Sequence, residues 1–193
     1  LVLGGPPRER PLLDEAGPNS LQKFEVMVDQ QSHPQLRSHA IEGTPVIPVV
    51  LVAEWFLRAA RQVTTGSAPL ALSQLKVLRG IRLDDWRGSG HRLILQCETV
   101  DANTIGLELQ GADGILHYSA QAVRASEELT GLHPPLLSLE PWGNRPVYGD
   151  VLFHGPEFQG IRAIEGVGED GISGQLSGLA SIAWSDEPWR SDV

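Results

Sequence analysis

Residues 38–50 read SHAIEGTPVIPVV and space three residues as His39-x-x-x-Gly43-x-x-x-x-Pro48. Histidine has an unperturbed pKa near neutrality, so His39 is the side chain best suited to take a proton from carbon. Directly after Pro48 comes VVLVAEWFLRAARQV, in which only Glu54, Arg58, Arg61 and Gln62 are polar. That run reads as a nearly all-apolar helix with one narrow wet stripe, and Pro48 suits its first turn because its missing N–H costs nothing there. A helix N-terminus offers unpaired N–H groups and a positive dipole end. Both can hold a thioester carbonyl and the enolate-like charge formed when the alpha proton leaves. Gly43 would let the backbone turn tightly and come close to a substrate. The competing reading of His39 is a solvent-facing loop histidine beside turn formers.

The remaining chemistry-bearing residues offer less. His33 and His133 precede prolines and read as turn residues, His91 and His117 lie on strand patterns, and no pair has zinc-ligand spacing. His154, in LFHGP, reads first as a loop histidine bonding a carbonyl. Cys97 is the single cysteine, which rules out an intrachain disulfide or a multi-thiolate zinc site and fits a reducing, cytoplasmic setting. GGPPRER lacks the lysine and frame of a phosphate loop and reads as linker. With 41% hydrophobic and 20% charged residues the composition is that of a soluble globular protein, and a net charge of -9 argues against a nucleic-acid surface. Pro and Gly interrupt the N-terminal residues before any apolar stretch reaches signal-peptide or membrane-span length. The start without Met suggests a piece of a longer polypeptide.

Several elements must position these residues. Residues 1–20 read as a linker or arm, 21–126 as a first module, 127–145 as a second linker carrying three prolines, and 146–193 as the start of a second module. Phe24, Val26 and Val28 alternate with polar neighbours as a strand does. LALSQLKVLRGIRL, HRLILQCETV, TIGLELQGA and ILHYSAQAVRA read as further strands, separated by turn signals at DDWRGSG, VDAN and GADG. In the second module FQGIRAIEGVG and GISGQLSG are strand-like and hinge at EDG, with no second apolar helix. The expected class is α+β: an antiparallel sheet wrapped around one central apolar helix, the hot-dog arrangement, followed by an incomplete second half. Trp142, Trp184 and Trp189 fall where they could cover the junction.

HAIEGTPVIP together with VLFHGPEFQGI resembles the dehydratase domains of polyketide synthases. The wording PVIPVV and LFHGPEFQ is closer to polyunsaturated fatty acid synthases and iterative synthases than to modular ones. The resemblance runs from about Phe24 to the end and implies a double hot-dog fold. The implied reaction removes water from a 3-hydroxyacyl chain, giving a 2-enoyl thioester. His39 takes the place of the family's catalytic base. Gly43 and Pro48 match its first motif, which places Val49 after them among the substrate-binding residues, while Tyr148, Gly155 and Pro156 align with its second, whose residues shape the pocket and bind substrate. Ser38 and Val49 stand where ordinary dehydratases carry Asp and Gly. The family's second catalytic residue is an Asp followed four residues later by Gln or His; Asp192 lies in that region and is not assigned the role.

No bound cofactor is expected, because the substrate would ride on the phosphopantetheine of an acyl carrier protein. Partners would be that carrier protein and neighbouring synthase domains, with neither nucleic acid nor membrane, and a homodimer is compatible with the resemblance. Arg58, Arg61, Arg79 and Arg82 are candidates for a local basic patch facing an acidic carrier. Two alternatives keep the same fold: a non-catalytic acyl-binding or structural domain, and a product-template-type cyclase.

Overall fold

A computed structural model describes residues 21–64, 69–125, 138–149, 151–169 and 171–177. Strand β1, Leu21–Val28, buries Phe24, Val26 and Val28 on one face, as its alternation requires. A 3₁₀ turn, Pro34–Ser38, and a small hairpin of β2, Ala40–Ile41, and β3, Thr44–Pro45, lead into helix α1, Val49–Val63. Strands β4, Leu70–Val77, β5, His91–Asp101, β6, Thr104–Gly111, and β7, Leu116–Arg124, follow. With β1 they form one antiparallel sheet in the order β1-β5-β6-β7-β4.

Register decides which side of this sheet is apolar. Phe24 faces Leu95 across the first pair, Leu95 faces Leu109 across the second, and Leu109 faces Tyr118 across the third. All four are buried in one cluster with Leu51, Val52, Trp55, Phe56, Ala59 and Ala60 of α1. Alanines on both surfaces, Ala59 and Ala60 on the helix and Ala120 and Ala122 on β7, let helix and sheet approach closely. Cys97 belongs to this core, where burial pushes its thiol pKa up to about 12 and leaves it unreactive.

Two local expectations need correction. The stripe on α1 is not wet throughout: Glu54 is only 1% exposed, and its carboxylate accepts a hydrogen bond from Arg58 Nε at 2.6 Å one turn on. Pairing at four-residue spacing offsets the desolvation that would otherwise keep a carboxylate out of the core. The run LALSQLKVLRGIRL is likewise not one strand. It ends at Val77, after a bulge at which Gln74 takes a φ of 52°. The chain beyond instead pairs with the segment that enters α1: Ile47 N–H donates to Ile81 O at 3.0 Å and Leu83 N–H to Pro45 O at 2.9 Å. Ile81, Leu83 and Trp86 are thereby buried beneath an otherwise exposed loop.

In the second part, β8, Glu140–Pro141, β9, Ile161–Gly168, and β10, Gly171–Leu176, form a three-stranded antiparallel sheet in the order β10-β9-β8. Only Gly166 of these strands is buried. Trp142, at the end of β8, lies under the Arg145 guanidinium at 4.1 Å. Residues 1–20, His133, Trp184, Trp189 and Asp192 lie outside the described residues, as does Gly66, whose TTGS run would end the helix. Among the described residues no helix is long and apolar enough to cross a membrane.

Candidate active site

The path to His39 starts in the core. His33 is buried, its ring edge-on to Trp55 of α1 at 5.6 Å, so the turn residue read from sequence is also an anchor. Pro34 opens the 3₁₀ turn, Leu36 plugs the core, and His39 closes the turn by donating its N–H to Leu36 O at 3.0 Å. The β2–β3 hairpin then reverses the chain through Glu42 and Gly43, at φ of 51° and 81°. Two left-handed positions in a two-residue loop define a type I′ turn, which explains Gly43. Nothing stands within 4 Å of the place a Gly43 side chain would occupy, so its part is to turn the backbone.

That reversal brings Val46 back beside His39. Val46 N–H donates to His39 O at 2.9 Å, and His39 Nδ1 lies 2.8 Å from Val46 O. A carbonyl can only accept, so Nδ1 carries the proton and Nε2 keeps its lone pair in the neutral ring. Burial lowers the His39 pKa; the Val46 carbonyl opposes this and the nearby His154 reinforces it. The ring is thus a neutral acceptor at physiological pH. Pro48 caps α1, and the first helical bonds run from Leu51 and Val52 N–H to Pro48 O. The Val49 and Val50 N–H groups have no acceptor among the described residues, and both side chains are exposed.

The second motif docks onto the first. Gly155 N–H donates to Ser38 O at 2.8 Å, and a side chain at Gly155 would begin 3.0 Å from Ser38 Cα and 2.6 Å from its Oγ. This close approach, not an unusual φ, is why residue 155 is glycine. Pro156 then opens a second 3₁₀ turn, Pro156–Phe158. Around the His39 ring stand Phe158 at 5.0 Å and Phe153 and His154 at 5.2 Å, with Phe153 and His154 stacked on each other at 4.5 Å. His154 Nδ1 is buried without a hydrogen-bond partner among the described residues, and burial lowers the pKa of that ring as well. Gly155→Ala is expected to push the motifs apart and destabilise the fold by about 1–3 kcal/mol, read by thermal unfolding.

Of the residues singled out from sequence, His39 and the Gly155–Pro156 step therefore meet, and Pro48 and Val49 follow Val46 at the start of α1. Gly43 supports them from the hairpin. Tyr148 does not join His39 by any hydrogen bond or ring contact among the described residues; its hydroxyl accepts the Ile161 N–H at 2.6 Å and fixes the start of β9. Phe153, Phe158 and Glu157 were not singled out, although all lie in the quoted motif; nothing in their spacing says that they meet His39. His91 and His117 bond backbone groups of Asp85 and Arg79. Arg58 is held by Glu54, whereas Arg79 and Arg82 are exposed on the loop beside Val46. A cavity of about 260 Å³ lies elsewhere, lined by Gln74, Gln96, Glu98, Glu108 and Gln121 on polar strand positions. The described residues contain no cluster of three or more metal-ligating side chains.

A family model described as polyketide synthase dehydratase domain matches residues 10–109. Among solved structures, the dehydratase domain from the terminal module of the rifamycin polyketide synthase is similar at a TM-score of 0.53 and 19% identity, covering 78% of this chain and 57% of that one. The dehydratase domain from the CurF module of the curacin polyketide synthase gives 0.52 and 14%, with 61% and 43% covered. A variant of the PpsC dehydratase domain from Mycobacterium tuberculosis gives 0.50 and 22%, with 58% and 42% covered. A search of curated proteins found no match. These likenesses carry the hot-dog fold, and the chain spans 42% to 57% of the length of these three domains.

Proposed function

This chain belongs to the polyketide synthase dehydratase domain family, and from that premise we propose that it takes part in converting 3-hydroxyacyl thioesters to 2-enoyl thioesters. The observation that carries the reading is the state of His39: Nδ1 committed to Val46 O, Nε2 unprotonated, and the ring walled by the second motif. In this reading Nε2 takes the alpha proton, and the electron pair moves into the thioester. The Val49 and Val50 N–H groups at the start of α1 face the charge that develops on the carbonyl oxygen. The double bond then forms as the 3-hydroxyl leaves as water with a proton from a second group. The resemblance gives that role to an Asp. The exposed Phe153 and the side chains of Val49 and Val50 would bear on the acyl chain.

The substrate would arrive on the phosphopantetheine of an acyl carrier protein, within a cytoplasmic multidomain polyketide or polyunsaturated fatty acid synthase. Arg79 and Arg82, exposed on the loop that pairs with Val46, suit an acidic carrier better than the half-buried Arg58, which Glu54 engages. Incubating the polypeptide with a 3-hydroxyacyl pantetheine thioester and following loss of water by mass spectrometry tests the reading. Absence of dehydration by folded protein that still binds the thioester would favour an acyl-binding or structural domain.

The state of His39 also sets a pH dependence. A base must be neutral, so activity falls as protons add to Nε2. Because burial holds its pKa below the ordinary 6.5, kcat/KM should stay level from neutrality to that value and fall only at lower pH. An acid limb centred at or above 6.5 would contradict the buried, neutral ring.

A further inference from the structure

We propose that Glu157 is a positioning residue for His39: its carboxylate, held by Ser38 and Arg37, latches the second motif onto the residues that lead into His39. The inference deepens the reading above and rests on it. One carboxylate oxygen accepts the Ser38 hydroxyl; the other accepts Arg37, whose Nε lies at 2.7 Å. The Gly155 N–H bond to Ser38 O sets the same two segments against each other from the backbone side. Residues 37, 38 and 39 thus all meet the second motif, the first two through Glu157 and the third through the rings of Phe153, His154 and Phe158.

The two arms of the latch differ in weight. Arg37 is 65% exposed, so its ion pair with Glu157 is screened by solvent and weak alone. Ser38 is buried, and a buried hydroxyl needs an acceptor, which Glu157 supplies. The Ser38 hydroxyl, ahead of Arg37, also holds the Glu157 carboxyl below its usual range. An ionised carboxylate cannot serve as a proton donor, so the part left to Glu157 is to hold the ring wall and the His39 loop in register. Small displacements of a base cost rate steeply.

Ser38→Ala, Glu157→Gln and the double variant separate this role from a purely structural one. Each is read by NMR titration of the His39 imidazole, by kcat and KM, and by thermal unfolding. Loosening the latch lets water reach His39, so its midpoint should rise toward the ordinary value while kcat drops about tenfold and KM stays within about twofold. The double variant should be no worse than the more damaging single change, because either one opens the same latch. Arg37→Gln, on the exposed arm, should shift His39 in the same direction by less, and it keeps the inference testable should Glu157→Gln fail to fold. An unmoved His39 titration in folded variants overturns the latch, including where only thermal stability falls. If the unaltered protein dehydrates nothing, the functional reading fails, and the titration still decides the latch.

Discussion

His39→Asn is expected to lower turnover of a 3-hydroxyacyl thioester by about 10²- to 10⁴-fold, the usual contribution of a positioned general base. Asparagine places its amide Nδ2 where Nδ1 stands and can donate to the Val46 carbonyl, so the loop after the 3₁₀ turn should hold its shape. What it lacks is the basic lone pair at Nε2. The loss should therefore fall on kcat with little change in KM, because the ring acts on the alpha proton and binding rests on the helix N-terminus and the apolar rim. Circular dichroism and thermal unfolding close to those of the unaltered protein would show that the change is chemical. A variant that keeps turnover within tenfold would remove His39 from the role of base and leave the motif as a structural turn.

How far this site could be read from sequence depends on the range of the interactions that build it. Helix α1 was legible at its start and along its length, because Pro48 marks its start and fifteen residues with an apolar face admit no other element. Strands β5, β6 and β7 were legible because their alternation and the Asn- and Gly-containing turns between them are local. The end of β4 was not: LKVLRGIRL alternates well enough for a strand, and only pairing of Ile81 and Leu83 with residues 45 and 47 shows that its second half serves the segment beside His39. Glu54 was misread for a similar reason, since four polar residues on an apolar helix look like a solvated stripe until the packing is known. The latch lay furthest out of reach. Ser38 and Glu157 are 119 residues apart, and no propensity or spacing rule links a serine before a histidine to a glutamate inside a Gly-Pro-x-Phe turn. Tyr148 adds a local role that motif alignment did not suggest: its hydroxyl accepts the Ile161 N–H and fixes the start of β9.

Acid should loosen the fold through His33 before it titrates the carboxylates. Burial lowers the His33 pKa from 6.5 to about 4, with Asp29 opposing the shift only in part. Asp29 is already engaged by Ser32 Oγ and by the N–H groups of Gln31 and Ser32, so it offers a protonated His33 little relief. The sign follows from proton uptake: between 6.5 and about 4 the unfolded chain binds a proton at residue 33 that the folded chain refuses, so stability falls as pH falls. At about 1.4 kcal/mol per pH unit the full loss is about 3 kcal/mol. His39 and His154, also lowered, add to the slope in the same direction. Denaturant unfolding across this range, compared with His33→Gln, isolates the His33 part: the variant should give a distinctly flatter stability profile above pH 4. Parallel profiles would mean that His33 accepts its proton while packed against Trp55. The position of His33 gives the slope a functional reach, because the ring that anchors to Trp55 begins the turn that ends at His39. Acid therefore threatens the base twice, by protonating it directly and by releasing the segment that holds it.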